Sequence, residues 1–458
     1  MPRAKVQAAQ PALDFIPPAY TPWLHRLCRL ALPAVLASRG IVRCEVSGAA
    51  RLAELFAAAQ AGQVRLLIAF RHPSTADPLV MAQLIWKEVP RAARRHGIRL
   101  AGPVHSQFLY DRGIPLWAGA AAGWMLARLG GIPIQRGKLD RRALKAARHL
   151  LAKGPFPLAI APEGATNNHN ELLGPLEPGL AQMAFWGCED LAAEGRSERV
   201  LIVPVVLQYV SLSNDWAPID QLIMDLEALL GLPNAPDPSP SNPADRRYVR
   251  LLKLAEGLLV QLETFYRQTY GQALETGGPS PAPGDFTERL ERLRESALAV
   301  AESHFNLLPR GTISERCRRI EQAGWHCIYR DDLEGSSAVE RSLADWRAAV
   351  AGSHMEHMRL VEYLATVSGS YVAEKPSLDR YGEVLMILWR AIAWIRGRDD
   401  ERPPALGPWT VRIRVGEPIG VDRRTEEYAH RRRSAVDRLT ADLLHNLEEG
   451  LHAGESQS

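Results

Sequence analysis

Val64–Asp77 reads VRLLIAFRHPSTAD. Its first seven residues form an apolar run bounded by Gly62 and Pro73, which predicts a buried strand over Val64–Phe70. Ser74 and Asp77 stand at capping-box spacing, and Pro78 suits the first turn of a following helix. The stretch therefore sets an imidazole, His72, at a strand's end beside a helix N-terminus, with the carboxylate of Asp77 five residues later. A carboxylate that accepts from one ring nitrogen fixes the tautomer and leaves the other nitrogen to take a proton, as a general base requires. The positive end of the helix favours the neutral, basic imidazole. The same residues also read as a plain helix cap and a loop histidine, so the decision rests on what the chain brings beside them.

On either side of this stretch the chain alternates between helix and strand. The pattern predicts helices over 49–61 and 78–95, a strand over 98–104, and an unusually apolar helix over 114–129 stopped by Gly130 and Gly131. A short strand, Ile132–Gln135, delivers Arg136; Asp140 then caps a helix over 141–153. A strand over 157–161 delivers Pro162-Glu163-Gly164, and a helix over 178–195 leads into the apolar strand Val200–Val210. This alternation predicts an α/β fold, a mainly parallel or mixed sheet flanked by helices. In such a sheet His72, Arg136 and Glu163 each come just after a strand and fall along one edge, at the carboxyl ends, where open α/β sheets bind ligands.

Around this core the character of the chain changes. Residues 1–20 are Pro- and Ala-rich and read as loosely ordered. Residues 21–39 set Trp23, Leu24, Leu27, Leu30 and Leu32 among His25, Arg26, Arg29 and Arg39, interrupted by Pro33. They read equally as an amphipathic helix lying in a bilayer interface and as a surface helix packed on the core. Residues 231–246 have the composition of a linker, and 244–408 are helical in pattern almost throughout. At 409–420 the alternation WTVRIRVGEPIG signals a strand, which needs a sheet to join. The expected organisation is a core over 21–215, a large all-helical insertion over 216–408, a returning strand and C-terminal helix of the core over 409–450, and a tail over 451–458.

Composition excludes several classes. At 458 residues the chain exceeds one ordinary domain; 46% apolar and 23% charged residues suit a globular protein with a sizeable core. A net charge of +3, without a basic stripe interleaved with aromatics, gives no warrant for nucleic acid. Five scattered cysteines with no Cys-x2-Cys pair fit free thiols in a reducing cytoplasm. No run of 18 apolar residues appears, so a role at a membrane would be played from its surface. His354 and His357 are metal-capable, but without a third ligand in view they read as a solvated helix face.

Four blocks carry a resemblance: Arg71-His72-Pro73-Ser74-Thr75-Ala76-Asp77; Gly131-Ile132-Pro133-Ile134-Gln135-Arg136; Ala161-Pro162-Glu163-Gly164-Ala165-Thr166-Asn167; and Val203-Pro204-Val205, with Val-Gly-Glu-Pro-Ile at 415–419. In this order they resemble the glycerolipid acyltransferase family, whose best-known members acylate 1-acyl-glycerol-3-phosphate. The resemblance covers roughly residues 20–210 and 408–450. It implies that His72 deprotonates a glycerol hydroxyl, which attacks the thioester of acyl-CoA or an acyl carrier protein, and that Asp77 orients His72. It further implies that Arg136 holds the phosphate, that Glu163 and Gly164 shape the acceptor pocket, and that no metal or organic cofactor takes part. The third block departs from the usual Pro-Glu-Gly-Thr-Arg-Ser: its arginine is missing, which throws phosphate binding onto Arg136 with Lys138. Its Ala165-Thr166-Asn167 and Leu172-Leu173 look somewhat like relatives acting on lysophosphatidylcholine or lysophosphatidylethanolamine. The expected activity is a 1-acylglycerol-3-phosphate O-acyltransferase, peripheral on the inner, cytoplasmic face of a membrane. The alternatives are acylation of another lysophospholipid or of glycerol-3-phosphate, and a non-catalytic lipid-binding adaptor.

Overall fold

The computed structural model of the protein describes residues 8–135, 140–164, 166–232, 243–274, 283–365, 367, 370–398 and 401–452. They form two compact units, one made of the described residues in Asp14–Gln135, Leu139–Leu212 and Pro408–Ser458, the other of those in Met1–Leu13 and Ser213–Gly407.

The first unit is built on an eight-stranded sheet. Its strands are β1 (Ile41–Ser47), β2 (Val64–Phe70), β3 (Gln107–Asp111), β4 (Ile132–Ile134), β5 (Leu158–Ile160), β6 (Arg199–Ser211), β7 (Trp409–Val415) and β8 (Ile419–Gly420). Their order is β1-β7-β6-β2-β5-β3-β4, with β8 also on β6. Strands β2 to β6 are mutually parallel, whereas β7 runs antiparallel to β6 and carries β1 parallel to itself. The strand expected at 409–420 thus rejoins the sheet after the helical block.

Strand β2 is apolar from Leu66 to Phe70 because both sides of the sheet are covered there, while Arg65 near its start donates to the Gly154 carbonyl at 2.7 Å. Leu66, Ile68 and Phe70 pack with Leu52 and Phe56 of the helix Ala49–Gln60 and with Met81 and Trp86. Leu67 and Ala69 face the other way, against Ala147, Leu151, Phe185, Leu443 and Leu447. Side chains alternate along a strand, so one short run feeds two cores. Each fully buried Leu or Ile contributes about 1.5–3 kcal/mol, which anchors the strand that ends in His72.

Several boundaries differ from expectation, each for a local reason. The strand expected over 98–104 forms later, at β3. Pro103 cannot donate to a ladder, and the Ala101 and Gly102 amides donate to the side-chain oxygen of Gln60. The apolar helix is two, Ile114–Ala118 and Ala120–Arg128, parted at Gly119, whose φ of 87° favours glycine. The helix over 78–95 starts at Asp77 and opens into a π turn at Leu84–Glu88, just before Pro90, which has no N–H to give the preceding turn. Strand β1, at the sheet's edge and set with Arg43 and Glu45, carried too little alternation to be expected. Residues 8–20 are held rather than loose: Gln10–Pro11 pair with Tyr329–Arg330 within the second unit, and the Ala19 amide donates to the Ala127 carbonyl within the first.

The second unit is helical. Its helices are Ala217–Leu230, Pro243–Tyr270, Pro283–Phe305, Ile313–Ile328, Ala338–Leu364, Tyr371–Glu374 and Leu378–Ile395. Buried guanidiniums cross-link them: Arg289 grips Glu263 and Glu256, and Arg316 grips Glu302 and Glu295. His354 stacks on His304 with ring centroids 3.8 Å apart, and His357 bonds to the Tyr266 hydroxyl at 2.7 Å. No group of three or more His, Cys, Asp or Glu among the described residues is arranged to hold a metal ion.

In the first unit the N-terminal helix Pro22–Ser38 is tied down through a nest of rings. The Tyr20 hydroxyl lies 2.7 Å from His25 Nδ1, the Trp86 indole N–H donates to His105 Nδ1 at 3.0 Å, and His105 Nε2 donates to the Leu129 carbonyl at 2.8 Å. Burial lowers His25 to about 4, helped by Arg29 and Arg26, and lowers His105 to about 3. The unfolded chain binds protons on these rings from about pH 6.5 downward, whereas the folded chain refuses them until about pH 4. Stability therefore falls with pH across that window. Calorimetry from pH 7 to pH 4 is expected to show the melting temperature dropping, and dropping less steeply in His25→Phe; equal slopes would remove His25 as a cause.

Candidate active site

Strand β2 ends at Phe70, and the next two residues turn in different directions. Arg71 is fully buried. Its backbone N–H continues the ladder to the Val205 carbonyl at 3.0 Å. Its guanidinium donates to the carbonyls of Asn170 (2.6 Å), His169 (2.6 Å), Leu172 and Leu207 (3.3 Å). A buried guanidinium must spend its donors inside the protein; here they gather the loop after Glu163. His72 turns outward, its side chain 21% exposed and its ring edge-on to Phe70 at 6.0 Å.

His72 Nδ1 lies 2.8 Å from Asp77 Oδ2. Asp77 is fully buried, and it also accepts from the Ser74 amide at 2.8 Å and from the Tyr209 hydroxyl at 2.6 Å. Burial pushes the Asp77 carboxyl above the usual range, while the bonds from His72, Tyr209 and Ser74 pull it down. Every one of those neighbours donates, so the group serves as a carboxylate. Burial and the Asp77 charge raise Tyr209 well above the ordinary phenol, which keeps its proton in place. With Nδ1–H committed to Asp77, the lone pair of His72 sits on Nε2. Only half of the expected capping box forms: the Asp77 carboxylate accepts from the Ser74 amide, but Ser74 Oγ accepts from the Ala76 amide at 3.2 Å rather than from Asp77, and no side chain caps the helix Asp77–Gln83.

Strand β5 is the neighbour of β2, and it delivers Glu163 beneath His72. One Glu163 oxygen accepts from the His72 backbone N–H at 2.7 Å. The other accepts from the Asn167 side chain at 2.6 Å and from the Gly174 amide at 3.1 Å. Burial raises the Glu163 carboxyl, opposed by the His72 amide and the Arg71 charge. Glu163 thus fixes the main chain of the base and the shape of its loop. Gly164 has φ +72°, a conformation glycine takes without strain. The loop returns to the base: the Asn167 amide donates to the His72 carbonyl at 3.1 Å, and Thr166 Oγ1 lies 3.1 Å from His72 Nε2.

The structure therefore brings His72, Asp77, Glu163 and Gly164 together at the carboxyl ends of adjacent parallel strands. Arg136 and Lys138 lie outside the described residues. Four contributors were not foreseen. Arg71 heads the first of the four sequence blocks but carries no role there. Tyr209 looked like one more core residue of β6. Thr166 and Asn167 were marked as departures from a pattern, with no contact to suggest a partner for either.

This is an imidazole with a buried carboxylate on Nδ1 and the Thr166 hydroxyl at Nε2, at a sheet edge. The family model described as Acyltransferase matches residues 43–208, the stretch that supplies every one of these groups except Tyr209. The match is consistent with the glycerolipid acyltransferase family. It supports a general acyltransferase function, with an acyl donor and a lipid acceptor as substrates. No curated protein matches the chain.

Proposed function

We propose that this protein transfers a fatty acyl group from an acyl thioester, acyl-CoA or acyl carrier protein, to the free hydroxyl of 1-acyl-glycerol-3-phosphate, giving phosphatidic acid. The observation that carries this reading is the orientation of His72, with Nδ1 bonded to buried Asp77 and Nε2 turned away from it. Nε2 takes the proton of the acceptor hydroxyl as its oxygen bonds to the thioester carbonyl carbon. The C–S bond then breaks and the leaving thiolate takes that proton from Nε2. Asp77 steadies the imidazolium between the two steps. Arg136, with Lys138, is the assigned holder of the acceptor phosphate, where a guanidinium matches the anion in charge and geometry. Glu163 and Gly164 act on the acceptor pocket through the loop they shape.

The departure of the third block at Ala165-Thr166-Asn167 favours a second reading, in which the acceptor is another lysophospholipid or glycerol-3-phosphate. A lipid-binding adaptor has no use for a carboxylate buried behind an imidazole, so the bonded His72–Asp77 pair speaks against that alternative. The purified protein and His72→Ala, given palmitoyl-CoA and a panel of glycerol-3-phosphate, lysophosphatidate, lysophosphatidylcholine and lysophosphatidylethanolamine, decide the matter. Lysophosphatidate is expected to be the preferred acceptor, with loss of roughly 10²–10⁴-fold in His72→Ala. Equal rates in the two proteins would sink the assignment of the base.

We also propose that the protein works from the surface of an inner membrane face. Trp23, Leu27 and Leu30 are 57%, 55% and 79% exposed along one side of the helix Pro22–Ser38, next to exposed Arg26 and Arg29. Apolar residues flanked by arginines suit an anionic bilayer interface. No helix among the described residues is long and apolar enough to cross a membrane. Flotation with vesicles containing phosphatidylglycerol is expected to carry the protein, and to carry much less of a Trp23→Ser/Leu27→Ser/Leu30→Ser variant. Equal flotation would place the membrane contact elsewhere.

A further inference from the structure

Thr166 stands where the transfer reading needs the substrate to be. Its Oγ1 is 3.1 Å from His72 Nε2, the nitrogen that must receive the acceptor's proton. Nδ1 faces a carboxylate and so bears the ring hydrogen. The Thr166 hydroxyl therefore donates to Nε2, as an acceptor alcohol would.

The loop keeps it there. The next residue, Asn167, donates its amide to the His72 carbonyl at 3.1 Å and its side chain to Glu163 at 2.6 Å and Leu172 at 2.8 Å. The main chain beside Thr166 is thus tied to the same strand end that carries the base.

We propose that Thr166 is a positioning residue that guards the base. Its hydroxyl fills the acceptor's seat at Nε2 and yields it to an alcohol that is also held by its head group. This rests on the transfer reading above. The need for a guard comes from the chemistry. A thioester beside a bare imidazole is open to water: water gives a proton to Nε2 as its oxygen bonds to the carbonyl carbon, the C–S bond breaks, and the thiolate takes the proton, leaving a free fatty acid. Water held by one hydrogen bond gains little by displacing a hydroxyl that makes the same bond. An acceptor anchored elsewhere has additional binding energy with which to displace it.

The test uses the full chain with palmitoyl-CoA, measuring thiol release with and without lysophosphatidate, and intact mass. Thr166→Ala is expected to raise acceptor-free thiol release about tenfold and to lower the KM for lysophosphatidate. Thr166→Val, which keeps the shape and drops the hydroxyl, is expected to raise release in the same direction, so the outcome does not depend on one variant folding. Thr166→Ser, which restores the hydroxyl, is expected to suppress the leak again. Acceptor-free release at the parental level in both Thr166→Ala and Thr166→Val overturns the guard. So does an acyl ester found on Thr166 of the parent, which would make the hydroxyl a nucleophile. A parent that transfers to no acceptor brings down the transfer reading and the guard together, whereas a parent that transfers beside variants that do not leak removes the guard alone.

Discussion

A carboxylate taken out of water has to be met by donors, and Asp77 is met by three of different origin. One is a main-chain amide of its own loop, Ser74. One is the ring of His72, five residues back. The third, the Tyr209 hydroxyl, comes from β6, which pairs in parallel register with β2 from Val64 against Arg199 to Phe70 against Val205. The strand must continue four residues past Val205 for the phenol to arrive. Removing a donor leaves part of a buried charge unmatched, at a cost of about 1–3 kcal/mol. The orientation of His72 thus depends on the sheet as a whole, through the length and register of a strand far from it in sequence.

Arg71 and His72 divide the end of β2 between them. The first is sealed in and donates to backbone carbonyls of the loop after Glu163; the second faces out and receives that loop's Thr166. Glu163 closes the circuit by accepting from the His72 amide and from Asn167 within the same loop. The base, its carboxylate and the loop over it are fixed by one connected set of hydrogen bonds. A change at any member is felt at Nε2, although few of these groups are placed to touch a substrate.

How much of this was legible depends on where each signal lives. Strand β2 and its successors were readable because a sheet covered on both sides demands unbroken apolar runs between turn residues. His72, Asp77 and Glu163 were readable because a polar group directly after such a run has few places to go. The return of β7 was readable because an alternating strand after a helical block needs a partner. Tyr209, Arg71 and Thr166 were not, because each acquires its role from a contact spanning about a hundred residues, and nothing local to a Tyr in a strand or a Thr in a loop reports its partner. The misplaced β3 and the split helix at Gly119 turned on single residues, Gln60 and Gly119, whose influence is geometric rather than periodic.

The claim that underlies the rest is that Asp77 sets the tautomer of His72 and so leaves Nε2 to accept a proton. Asp77→Asn keeps the volume and most of the hydrogen bonds but offers His72 an amide in place of a carboxylate. Acyl transfer measured on this variant with the preferred acceptor is predicted to fall roughly a thousandfold or more, with the fold retained by circular dichroism. A folded Asp77→Asn protein transferring at the parental rate would contradict the account.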